Sequence, residues 1–89
     1  MSKLRLRREG LVWSDVGGET VLLDLESSAY FAAKGSGSFI VNCLTDGATE
    51  DSLVERLVEH YEVDLETAKG DVSEFLRQLE ANKMLERVD

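Results

Sequence analysis

At 89 residues the chain has room for one small domain, and its single cysteine, Cys43, rules out an internal disulfide, so the fold must rest on a hydrophobic core. The net charge is −8, from 10 basic and 18 acidic residues; four basics (Lys3, Arg5, Arg7, Arg8) fall in the first eight positions, leaving a body with 6 basics against 18 acids, or −12, that repels a phosphate backbone. No apolar run approaches the roughly 20 residues needed to cross a bilayer, and the start from Met1 to Arg8 alternates apolar and basic residues without the apolar block of a signal peptide, so a cytoplasmic protein with no membrane and no nucleic-acid partner is expected.

The first eight residues read as a basic arm or short strand with solvated Arg side chains. Leu11 and Trp13 then mark a strand from about Gly10 to Asp15. Val16-Gly-Gly-Glu19 is a hairpin connection, because Gly supplies the positive φ that tight turns need. In Val21–Leu25 apolar residues alternate around Leu22 and Asp24, which predicts a second strand over Glu19–Leu25. Glu26-Ser-Ser28 is a turn, and Ala29-Tyr-Phe-Ala-Ala33 is a third strand that carries no charge until Lys34. Short connections predict a three-stranded antiparallel meander. Its third strand would be an edge without the Lys, Pro or bulge that usually blunts one, and such an edge is either an aggregation hazard or a rail on which another chain docks.

After residue 34 the period turns helical, and the whole predicts an α+β domain over 1–89, winged-helix-like, with the meander followed by three helices. Gly35-Ser-Gly-Ser38 reads as a loop and cap. Phe39, Ile40, Cys43 and Leu44 suggest a short helix ended by Asp46-Gly47. Thr49 caps the next helix, with Glu50 and Asp51 at its positive end and a buried stripe of Leu53, Val54, Leu57, Val58 and Tyr61. Asp64 caps a third, longer helix whose stripe is Leu65, Ala68, Val72, Phe75, Leu76 and Leu79, and Met84 and Leu85 close the domain.

Two adjacent pairs pose a problem of geometry. Tyr30 and Phe31 are neighbours in a strand and point to opposite faces, as do Leu22 and Leu23 one strand away. Only one face can meet the helices. The other is either a partner surface or is packed against by the N-terminal segment.

No catalytic constellation emerges. Cys43 and His60 invite a nucleophile–base reading, but Cys43 sits on an apolar stripe, where an inert thiol is the common case, and His60 sits at a helix end, where an exposed His suits the dipole. The acids Glu55, Glu59 and Glu62, and Glu66, Asp71 and Glu74, are polar faces of amphipathic helices and join no His or Cys in a metal-ligand motif. Neither a cofactor nor a metal is expected. A winged helix that entered a DNA groove would carry Arg and Lys on that helix, whereas here Glu66, Asp71, Glu74 and Glu80 outnumber Lys69, Arg77 and Lys83.

The order and spacing of Leu22-Leu-Asp-Leu25, Ala29-Tyr-Phe-Ala32, Gly35-Ser-Gly-Ser-Phe-Ile40, Tyr61-Glu-Val-Asp64, Ala68-Lys-Gly-Asp-Val-Ser-Glu-Phe-Leu76 and Met84-Leu85 resemble the PqqD-like recognition elements, over about residues 9 to 86. The resemblance implies a non-catalytic protein that binds the leader of a ribosomally made precursor peptide and presents the core to modifying enzymes. The leader would add as a strand to the third strand and pack on the third helix, which names Ala29, Tyr30, Phe31, Ala32 and Ala33, with Val72, Phe75, Leu76 and Leu79. Asp71, one helical turn before Phe75, is placed to bond a leader hydroxyl or amide. Ala32-Ala33-Lys34 departs from the Leu-Asn common in relatives and reshapes the end of the groove. A standalone element with the Leu-Val-Trp13 strand looks most like the leader-binding proteins of lasso-peptide pathways, which work beside a leader peptidase and a cyclase. The alternative is the partner of a radical enzyme in quinone-cofactor or sactipeptide maturation. On helical geometry alone, Ala68, Val72 and Leu79 lie near the centre of the third helix's stripe and pack on the body. Phe75 and Leu76 lie on opposite margins, at least one of which faces the groove, with Phe75 preferred as the aromatic anchor.

Overall fold

The computed structural model describes residues 3–88. In chain order the elements are β1 (Lys3–Leu6), β2 (Leu11–Val16), β3 (Glu19–Asp24), β4 (Tyr30–Lys34), α1 (Ser36–Leu44), β5 (Ala48–Thr49), α2 (Glu50–Tyr61), α3 (Leu65–Ala81) and β6 (Leu85–Arg87). The expected meander forms as the antiparallel sheet β2-β3-β4, with β4 at its edge, and three helices follow. Gly17 and Gly18, with φ of 57° and 88°, make the two-residue turn between β2 and β3. The outer caps of the longer helices fall where the sequence puts them. The Thr49 hydroxyl accepts from Ser52 N and Ser52 answers in a reciprocal box; the Asp64 side chain accepts from Thr67 N.

Several features differ from the sequence reading. Tyr61 and Leu65, expected in the apolar stripes of their helices, are 39% and 51% exposed at the helix ends. Gly35–Ser38 is not a loop: α1 already starts at Ser36, and only Gly35 stands outside it as the cap. A second antiparallel sheet, β5-β1-β6, is present, in which β1 lies between two very short strands from distant parts of the chain. The arginines of the basic arm are not simply solvated. Arg5 Nε is 2.6 Å from Glu86 Oε2, and Arg7 Nη2 is 3.0 Å from Asp24 Oδ1, so the arm is held by two acids of the body. Because β1 is committed to this second sheet, it leaves the outer face of β2-β3-β4 open.

The core lies between the inner face of the meander and the helices, built from Leu22, Ile40, Val41, Leu44, Leu57, Val72 and Leu79 among others. The adjacent pairs resolve as strand geometry requires. Leu22 is 0% exposed and Leu23 36%, while Phe31 is half-buried under the sheet and Tyr30 is 65% exposed above it.

Asp24 organises the turn into β4. Its carboxylate sits beside the Arg7 guanidinium and also accepts from Glu26 N at 2.9 Å and Ser27 N at 3.4 Å. Arg7 first, then these amides, lowers its pKa from 3.8 to about 2. A carboxyl depressed in the fold adds stability above its unfolded value and loses it as pH falls towards its folded value. Thermal melts of wild type and Asp24→Asn across acid pH should therefore differ most above pH 4, with wild type the more stable, and the gap should close between 3.8 and about 2. A gap independent of pH would mean that the ion pair adds nothing beyond the turn's hydrogen bonds.

Candidate functional site

β4 forms one edge of the sheet β2-β3-β4. Asp24 N donates to Ala29 O at 2.8 Å, so Asp24–Ala29 is a hydrogen-bonded pair. Antiparallel pairs alternate between bonded and non-bonded. With the observed register, Leu22–Phe31 and Thr20–Ala33 are then the bonded pairs within β3–β4. The N–H and C=O groups of Phe31 and Ala33 are spent on β3. Those of Tyr30, Ala32 and Lys34 point outward along the edge, spaced for another strand.

Beside this edge runs a groove. β4 packs on α1, and its link to α3 is made by side chains. The Phe31 ring meets the Phe75 ring edge to face, with centroids 5.7 Å apart and planes at 71°. Ala33, on the same face as Phe31, is buried. A hollow of about 260 Å³ opens between Ser36, Gly37 and Ile40 of α1 and Asp71, Glu74, Phe75 and Gln78 of α3. Gly37 is what lets the two helices share it: a Cβ there would lie 2.9 Å from Phe75 Cε1. At the Ala29 end another hollow of about 430 Å³ is lined by Arg7, Asp24, Ser27, Ala29, Asn82 and Lys83 among others. The Arg7 guanidinium fixes this end by donating to Lys83 O at 2.9 Å.

The residues named from sequence divide three ways. Ala29, Tyr30, Phe31, Ala32 and Ala33 lie along or immediately before the edge strand, and Asp71 and Phe75 lie on the flank of α3 that faces it. Val72 and Leu79 are 0% exposed and act as floor and core rather than as groove surface. Leu76 is buried on the opposite flank, where it lines a different hollow together with Leu4 and Leu85, away from β4. Of the two margins, Phe75 is thus the one that meets the groove. Ser36, Gly37, Glu74 and Gln78 escaped the sequence reading. The spacing of Asp71, Glu74, Phe75 and Gln78 at i, i+3, i+4 and i+7 marks one flank, but only the rotation of the packed helix tells which flank it is.

The remaining candidates take other roles. His60 stacks on Phe39, with centroids 4.5 Å apart, and Cys43 is half-buried. Among the described residues no group of three or more His, Cys, Asp or Glu is arranged to hold a metal ion, and no helix is long and apolar enough to cross a membrane.

An edge strand with free backbone groups, beside a hollow that sets the Phe75 ring among Ser36, Asp71, Glu74 and Gln78, defines a protein built to accept an extended peptide. The chain belongs to the PqqD family: the family model for coenzyme PQQ synthesis protein D matches residues 19–85. It is also similar to two solved structures. One is TbiB1 in complex with the TbiA(beta) leader peptide, 30% identical with a TM-score of 0.84, covering 92% of this chain and 94% of that one. The other is a lasso peptide synthetase B1 complexed with the leader peptide, 28% identical with a TM-score of 0.81, covering 93% and 96%. A comparison with curated protein sequences finds none that matches.

Proposed function

We propose that this protein binds the leader of a ribosomally synthesised precursor peptide as an added strand on β4. It would then deliver the bound precursor to the enzymes of a lasso-peptide pathway, a leader peptidase and a cyclase. The observation that carries this reading is the outward backbone of Tyr30, Ala32 and Lys34 beside the hollow floored by Phe75. Backbone hydrogen bonds give affinity with little demand on sequence, and the hollow supplies the choice of side chain. The role is recognition without turnover, in the cytoplasm. The structures of TbiB1 and of the lasso peptide synthetase B1, each complexed with a leader peptide, favour the lasso-peptide setting over maturation of a quinone cofactor.

The test is a calorimetric titration with the synthetic leader of the precursor encoded beside this protein's gene. Binding is expected, and with it slowed hydrogen exchange at the amides of Tyr30, Ala32 and Lys34. The acidic body speeds the approach of leaders that carry Lys or Arg, so added salt should slow association. Affinity should fall less than about tenfold between low and high salt if burial dominates. A loss of ~10³ or more, as for phosphate contacts, would mean that charge carries recognition. A salt-sensitive shift of duplex DNA would instead favour the other reading of this fold outline, a winged-helix DNA-binding protein.

A further inference from the structure

The groove does not stop where β4 stops. The chain turns at Gly35, so the pairing rail ends at Lys34. Ser36 and Asp71, which line the hollow beside Phe75, also line a second hollow of about 280 Å³ whose other walls are Leu57, Tyr61 and Val63. Ser36 and Asp71 therefore border both cavities, which are neighbours across these two residues. Leu57, 1% exposed, forms the floor of the second, Val63 is half-buried, and Tyr61, the last residue of α2, is 39% exposed at its mouth. The Tyr61 ring is held in place from behind, edge-on to Phe39 with centroids 5.7 Å apart and to His60 at 4.7 Å. An aromatic wall already fixed in this way gives contact area with little ordering cost on binding.

We infer that this second hollow is a separate specificity pocket, which takes one apolar or aromatic side chain from the part of the leader that runs past the Lys34 end of β4. The inference rests on strand addition to β4, and the chemistry of the shared border fits that occupant. A peptide that leaves the rail has a backbone N–H with no strand partner, and a buried donor left unmet is costly. Ser36 and Asp71, which line both hollows, bring a hydroxyl and a carboxylate that would accept it. Beyond them the lining is apolar, so the next side chain is selected by burial. Tyr61 is then a specificity-determining residue contributed by α2, an element outside the β4–α3 groove.

The experiment is a double-mutant cycle on the same synthetic leader. Single alanine substitutions along the leader identify the position beyond the paired segment whose truncation weakens binding, and each peptide is titrated against wild type, Tyr61→Phe and Tyr61→Ala. Tyr61→Ala is expected to bind the intact leader at least about fivefold more weakly and Tyr61→Phe within about twofold, because the ring is the wall. For one apolar leader position outside the paired segment, the loss seen with wild type should largely vanish in Tyr61→Ala. Hydrogen exchange at Tyr30, Ala32 and Lys34 should still slow on binding, and both variants should keep a cooperative melt. If Tyr61→Ala unfolds, the cycle is run with Val63→Ala and the same coupling is expected. Unchanged affinity for Tyr61→Ala with β4 still protected would overturn the pocket and leave strand addition standing. Absence of leader binding by wild type would overturn both.

Discussion

Ala32→Pro is expected to leave the domain folded and to weaken leader binding at least about tenfold, or ~1.4 kcal/mol. Proline lacks a backbone donor and is tolerated in sheets on edge strands where the lost N–H faces outward. Ala32 meets that condition: its partner across β3 is Val21, a non-bonded pair in the alternation set by Asp24–Ala29, and its side chain is exposed. Phe31→Pro is the internal contrast. Phe31 donates to β3, and its ring packs on Phe75, so its replacement should destabilise the domain itself. Calorimetric binding and thermal melts of the two variants separate the effects. An Ala32→Pro variant that melts like wild type and binds the leader at wild-type affinity would show that the peptide does not pair with this edge.

The contrast between Phe31 and Ala32 also shows what a sequence alone carries. The run Ala29–Ala33 and its place at the end of a meander follow from period and turn residues, and both are present in the fold. Which of two adjacent amides points outward does not follow, because it depends on the register against β3, and register is fixed by the Gly17-Gly18 turn and the Asp24 turn together. The caps at Thr49 and Asp64 were legible for the same local reason, since each bonds an amide three residues on. Features made by distant partners were not. β5 and β6 have 2 and 3 residues and no periodicity to read; they exist because β1 lies between them. Arg5 and Arg7 find Glu86 and Asp24 far along the chain. The start of α1 at Ser36 runs against the low helix propensity of Ser and Gly and is set instead by packing, with Gly37 buried beneath the Phe75 ring.

Phe75→Ala and Leu76→Ala are expected to fail in opposite ways, although they are neighbours on one helix. Leu76 is 6% exposed and belongs to the buried core, so its truncation leaves a cavity and should cost ~2–5 kcal/mol of stability. A domain of 89 residues has on the order of 4–13 kcal/mol in all, so the melting transition should move down strongly while any protein that remains folded binds the leader normally. Phe75 is half-buried and lines the open hollow beside β4. Its loss removes the edge-to-face contact with Phe31, worth about 0.5–1.5 kcal/mol beyond area, and less burial than a core Phe. The transition should therefore stay cooperative, with a smaller shift than for Leu76→Ala, while affinity falls at least about tenfold because an aromatic anchor at the centre of a groove carries a large share of binding energy. Melting and calorimetric titration of both variants measure all four quantities. If Phe75→Ala binds normally, or if Leu76→Ala loses affinity without losing stability, the groove lies on the other flank of α3, between that helix and the β5-β1-β6 sheet.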